Sequence, residues 1–110
     1  MPGYFECKAS ASGQFIFNLK SGNHEVILSS EQYTSKAAAF AGIESVRKKA
    51  TNDASFLRKV AKNAANYFVL VAGNHQTIGK SEMYSSSAAM ERGIDSVKAN
   101  APEAALKDQC

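Results

Sequence analysis

The sequence predicts an α+β fold: tandem duplicated β-β-β-α units that form one mostly antiparallel sheet with two helices on one face, related by a pseudo-twofold axis. Three observations predict it. Displaced by 51 positions, the chain matches itself without a gap, "FNLKSGNHEVILSSEQYTSKAAAFAGIESVRKKA" from Phe17 falling on "FVLVAGNHQTIGKSEMYSSSAAMERGIDSVKANA" from Phe68. About half of these positions are identical, which marks a duplicated supersecondary unit. Within each copy, short alternating runs give way to apolar residues at helical spacing. Three strands and one helix make too small a core to stand alone, so the two copies pair into a continuous sheet.

In order along the chain, "YFECKA" is a short alternating strand, "SASG" a turn, and "QFIFNLK" a second strand whose Phe15, Phe17 and Leu19 share one face. "SGNH" is a hairpin loop in which glycine and asparagine supply the positive φ that a tight turn demands, and "EVILSS" is a third strand. After "EQYT" the period changes. Ser35 caps a helix whose Ala39, Ile43, Val46 and Ala50 form one stripe; Ser86 does the same for Met90, Ile94, Val97 and Ala101. Such a helix, roughly 22 Å long, matches strands of about 20 Å and covers its own sheet diagonally. Gly42 and Gly93 inside these helices cost about 1 kcal/mol each relative to alanine and permit a close approach of helix to sheet. In the second copy, "FLRKVAKNAANYFVL" has Ala64 or Ala65 where the first copy has its turn glycine.

The 110 residues form one domain over 1–110, with repeat one at 3–50 and repeat two at 51–110. A chain of this size buries roughly two thirds of its unfolded surface and needs no cofactor to hold it together. No run approaches the roughly 18 apolar residues of a membrane span, and "MPGYFECKAS" lacks the pattern of a signal peptide, so the expected compartment is the cytoplasm. Cys7 and Cys110 have neither metal-ligand spacing nor a disulfide framework and read as free, inert thiols.

The arrangement "GYFECKASASGQFIFNLKSGNHEVILSSEQYTSKAAAFAGIESVRKKA" resembles the YegP-like family of small bacterial proteins, in which FxFxLK is followed by GN, I, SExY and a helix ending GIxSVK. The match runs from Gly3 to about Ala101. The resemblance implies three-strand-and-helix units assembled into one sheet, with a short strand exchanged after each helix; "AALKD" is the candidate in copy two. It implies no activity and no catalytic residues.

"GNHQTIGKSE", Gly73 to Glu82, superficially resembles a phosphate-binding loop. A true one has four residues between its glycines and runs from a strand directly into a helix; here there are five, and the repeat places Gly79 and Lys80 on a strand, in place of Leu28 and Ser29. His24 and His75 occupy the same turn of the two copies, lack a metal-site neighbourhood, and read as polar turn side chains. Glu31 with Tyr33, and Glu82 with Tyr84, could serve acid–base chemistry, but a glutamate and a tyrosine before a helix are favoured on structural grounds alone. Ser35 and Ser86 stand where helix amides could hold an anion, and are required as caps in any case. Neither a catalytic constellation, a metal site nor a cofactor site is expected.

Two surfaces are informative. Ile16, Asn18 and Lys20 correspond to Tyr67, Val69 and Val71, so copy two places apolar residues on the outer face of its second strand. Ile16, Tyr67, Val69 and Val71 are therefore the candidate surface for a protein partner or self-association. Arg47, Lys48, Lys49, Arg58, Lys59 and Lys62 crowd the middle of a chain of net charge +3, against the single acid Asp53, and with Phe56, Tyr67 and Phe68 nearby they form a candidate nucleic-acid surface. The expected function is a non-enzymatic binding or interaction module; the alternative is a weak nucleic-acid binder using the basic cluster, and a third is an anion or small-molecule binder at a helix start.

Overall fold

The computed structural model describes residues 3–72 and 76–109. Strands β1 (Tyr4–Ala9), β2 (Phe15–Lys20) and β3 (Val26–Ser30) lead into helix α1 (Lys36–Lys49). A 3-10 turn at Asp53–Ser55 opens the second copy, with β4 (Phe56–Val60), β5 (Asn66–Val71), β6 (Thr77–Lys80) and helix α2 (Ser87–Asn100). A second 3-10 turn, Ala101–Glu103, ends in β7 (Ala105–Gln109). All seven strands form one sheet in the order β4-β5-β6-β3-β2-β1-β7.

The pseudo-twofold axis is visible in the register. β3 and β6 run antiparallel at the centre, and Ser29 faces Lys80, its own equivalent 51 positions on. The ladders flanking this seam carry a bulge at matching places, between Leu19 and Lys20 and between Leu70 and Val71. The residues left without a register partner are Ile27 and Ile78, both buried in the core cluster. The bulge thus turns an additional isoleucine of each copy inward.

The β1–β2, β2–β3 and β4–β5 hairpins are three-residue loops closed by a left-handed residue. Gly13 (φ 80°) fills that position in the β1–β2 turn and Ala64 (φ 66°) in the β4–β5 turn, which selects Ala64 over Ala65 as the substitute for the glycine. In "SGNH" the positive φ (69°) belongs to His24 and not to Gly22 or Asn23. The loop explains why: the Ser21 amide donates to the Glu25 carbonyl and the His24 amide to the Ser21 carbonyl, so His24 is the last loop residue, where the chain must turn left-handed.

Both helices lie on one face. Ser35 Oγ accepts from the Ala38 amide (3.0 Å) and Ser86 Oγ from the Ala89 amide (3.1 Å). All eight stripe residues are buried, together with Phe5, Phe17, Leu19, Phe56, Phe68 and Leu70 from the sheet. Burying each phenylalanine stabilises by about 2 kcal/mol. Each helix reaches beyond its own repeat: α1 packs on β2 and also on β5 and β6, and α2 on β5 and β3. The two copies therefore share one interior.

β7 docks on β1 in parallel, placing Cys7 level with Asp108. After α1, by contrast, the chain passes through its 3-10 turn straight into β4, so only α2 is followed by an additional strand. Cys7 forms a disulfide, which corrects the free thiol expected for it. The parallel docking of β7 brings the C-terminal end of the chain beside the strand that carries Cys7, a proximity hidden by their separation in sequence. Cys110, the other cysteine of the chain, lies outside the described residues.

Candidate binding grooves

Tyr33 and Tyr84 sit between the last strand of each unit and its helix. Backbone bridges hold them: Tyr33 exchanges two hydrogen bonds of 2.8 Å with Phe15, and Tyr84 exchanges bonds of 2.7 and 2.9 Å with Asn66. Ser30 and Ser81 tighten the same corner, their hydroxyls each accepting from a strand amide, Phe17 and Phe68 respectively, at 2.9 Å. Each tyrosine ring stacks on that phenylalanine, at 6.0 Å for Phe17 and 6.4 Å for Phe68. Each hydroxyl then occupies the space over a helix glycine, where a Cβ on Gly42 or Gly93 would overlap it. The helix glycines thus make room for a tyrosine of their own repeat, and in α1 for the Phe17 ring as well. Burial pushes both phenols above their ordinary range, helped by Glu31 for Tyr33 and by Glu82 and Glu25 for Tyr84.

Beside each tyrosine a groove opens between the helix of one repeat and the hairpin of the other. The first, about 360 Å³, runs along Ala38, Gly42 and Ser45 of α1, past Tyr33, to Ala72, Gln76 and Thr77. The second, about 720 Å³, runs along Ala89, Arg92, Gly93 and Ser96 of α2, past Tyr84, to Ser21, Asn23 and Glu25. The two are equivalent under the pseudo-twofold axis but differ in charge, since Ala41 in the first becomes Arg92 in the second and Gln76 becomes Glu25. Glu25 and Arg92 are exposed and are not paired with each other. Sequence reasoning missed this site because each groove joins segments from different repeats; the repeated Ser-Glu-x-Tyr and helix glycine were its only local trace.

The expected partner surface lies on the face away from the helices, where Tyr67 and Ile16 are half-buried while Val69 and Val71 retain only 7% and 5% exposure. Leu57 of β4 stands opposite Val69, and the Lys80 ammonium covers the Tyr67 ring at 4.9 Å. The first copy fills the equivalent area with charge: buried Glu6 pairs with Lys8 (2.9 Å) and Lys20 (3.1 Å). The hydrogen bond from Lys8, then that from Lys20, holds the Glu6 carboxyl below its usual range against the opposing effect of burial. Tyr4, on this face too, takes Lys107 over its ring at 4.2 Å. Its hydroxyl is 2.7 Å from His24 Nδ1, so the turn histidine is tied to β1.

The six basic residues do not form one surface. Arg47 pairs with Glu44, donates to the Ala104 carbonyl and lies over Phe5 on the β1 side. Arg58, on the edge strand at the far side of the sheet, makes a two-pronged contact with Glu91 and a third bond to Asp53. Lys48 and Lys49 end α1, Lys59 is on β4 and Lys62 in the following turn. Asp53 also binds Lys98 (2.7 Å), and these partners hold its carboxyl down to about 2.

Thr77–Lys80 is a strand, so Gly79 and Lys80 do not open a helix. His75, with Gly73 and Asn74, lies outside the described residues. Among the described residues no group of three His, Cys, Asp or Glu side chains is placed to hold a metal ion.

Residues 10–56 and 61–108 each match the family described as a domain of unknown function, DUF1508. A UPF0339 protein of Bordetella pertussis is 56% identical over 99% of this chain and 97% of its own length. UPF0339 protein YegP of Shigella flexneri is 49% identical over 98% of both. The solution structure of yegP from E. coli, described as a protein of unknown function, superposes with a TM-score of 0.93 at 48% identity, covering 98% of this chain and 93% of that one.

Proposed function

This chain belongs to the DUF1508 family and carries its domain twice, and from that premise we propose that it is a non-enzymatic binding module whose ligand site is the groove between α2 and the β2–β3 hairpin. The observation that carries this reading is the pair of equivalent grooves, each built by both repeats, of which the second is larger and bears charge of both signs. Glu25 and Arg92, which line one cavity and have no ion pair among the described residues, complement a small molecule with separate cationic and anionic ends; Ser21, Asn23 and Ser96 add hydrogen-bonding partners.

No described helix is long and apolar enough to cross a membrane. The cytoplasm remains part of the proposal, and the disulfide at Cys7 counts against it, because cytosolic thiols are kept reduced.

The test is titration of the isotope-labelled chain with glycylglycine, followed by amide chemical shifts. Saturable shifts are expected around Asn23, Glu25, Tyr84, Arg92 and Ser96, weakened at least about tenfold by Arg92→Glu and by Glu25→Lys. Shifts that survive both variants would remove the groove from the proposal. Recovery of glycine from the mixture would show hydrolysis and defeat the non-enzymatic reading.

A further inference from the structure

The two halves of the sheet end differently, the first in β7 and the second in β4. β1 takes β7 alongside in parallel, with Glu6 level with Lys107. β4 is the counterpart of β1 in the second repeat: displaced by 51 positions, Phe5 falls on Phe56, Glu6 on Leu57 and Lys8 on Lys59. Yet among the described residues β4 pairs only with β5, and its outer side carries no strand. The chain path accounts for this. α2 leads through a 3-10 turn to an additional strand, whereas α1 leads through the equivalent turn to β4 itself, leaving nothing to play the part of β7 there.

The residues at this open edge have changed in a consistent direction. In the first copy Glu6 pairs with Lys8 and Lys20. In the second, Leu57 replaces Glu6 and Val71 replaces Lys20, but Lys59 is kept. Lys59 is exposed and has no ion pair among the described residues. Its strand also holds Leu57, 39% exposed, and Val60, 67% exposed. Arg58 points to the opposite face and is occupied by Glu91 and Asp53.

We propose that the outer edge of β4 accepts an extended acidic segment of a partner protein as a parallel strand, setting an apolar side chain against Leu57 and a carboxylate against Lys59. The free backbone groups of β4 supply the ladder, as those of β1 do for β7, and alternate side chains supply the selectivity. Charge favours such a partner over a second copy of the chain. Pairing two β4 strands about a twofold axis at Arg58 or Lys59 sets identical cations directly opposite each other, and a lysine on an edge strand is a recognised guard against self-pairing. The proposal stands independently of the groove.

The test uses the full isotope-labelled chain and the end-capped peptide Thr-Thr-Val-Thr-Glu-Thr-Thr, whose valine and glutamate share one face as Leu57 and Lys59 do, carried to millimolar concentration. Saturable amide shifts confined to Phe56–Val60 and the adjoining β5 residues are expected, with the groove signals unmoved. Lys59→Glu weakens binding at least about tenfold, as does a peptide with lysine for glutamate. Methylating alternate peptide nitrogens abolishes binding, because the ladder requires them. Equal binding by the methylated peptide reduces the effect to loose charge attraction and overturns the proposal. So do shifts centred on β1 and β7, the absence of any shift, or β4 shifts that follow protein concentration alone, which would make a second copy the occupant.

Discussion

Leu28 and Gly79 occupy the same position in the two repeats, and they meet across the seam between β3 and β6: a Cβ added to Gly79 would lie 3.0 Å from Leu28 Cγ and 3.0 Å from the Ser29 carbonyl oxygen. Residues beside a twofold axis approach their own equivalents. A second leucine at position 79 would compete with Leu28 for this space. The "IGKS" stretch thus owes its glycine to packing at the seam.

Gly79→Ala should cost about 1–3 kcal/mol in urea unfolding, since the new methyl meets backbone on one side. Combined with Leu28→Ala, the loss should be smaller than the sum of the single losses, as expected for two residues in contact. Simple additivity would refute the contact.

Ala64 holds the left-handed conformation that Gly13 holds in the first copy. A non-glycine residue there costs about 1–2 kcal/mol, partly returned by the unfolded chain's lower entropy. Ala64→Gly is therefore expected to raise the urea midpoint, by up to about 1 kcal/mol of stability. His24→Gly should bring no such gain, because it also removes the bond to the Tyr4 hydroxyl. If both variants behave alike, that bond contributes nothing.

The phenols of Tyr33 and Tyr84 are raised above the ordinary 10.0 by burial first and by nearby glutamates second. A proton held more tightly in the folded state gives stability that is complete below pH 10 and drains away as pH climbs through the folded values. Tyrosinate absorbance should show a late-titrating fraction that Tyr33→Phe and Tyr84→Phe each diminish. Its persistence in the double variant would place the effect elsewhere.

Asp53 is held at about 2, by the hydrogen bond from Lys98 first and that from Arg58 second. This depressed carboxyl helps fasten the turn before β4 to α2; its contribution is present above the ordinary 3.8 and lost as pH falls through 2. Carbon-detected titration should find that midpoint, and Lys98→Met should move it upward. An unmoved midpoint would mean that Lys98 does not hold it.

Cys7 is fully buried and disulfide-bonded, so in denaturant without reductant it should take up no iodoacetamide, and should do so once reduced. Alkylation without reductant, read by mass, would contradict the bond.

By itself, the sequence determined the elements that recur locally. The 51-residue displacement, the alternation of Phe15, Phe17 and Leu19, the serine caps and the stripes from Ala39 and Met90 were sufficient for the strands, the helices, the shared core and the family resemblance. It also placed Tyr67, Val69 and Val71 on the outer face. Only the tertiary structure decided what meets at a distance: Leu28 against Gly79, a tyrosine hydroxyl over each helix glycine, β7 bringing the chain end to Cys7, Glu25 and Arg92 on one groove, and β4 left as an open edge. The physical reason is that periodicity records which side of an element avoids water, a property of neighbours along the chain. Which atoms then fill a given space depends on how the two halves are turned toward each other, and that is set by the packing of the whole interior.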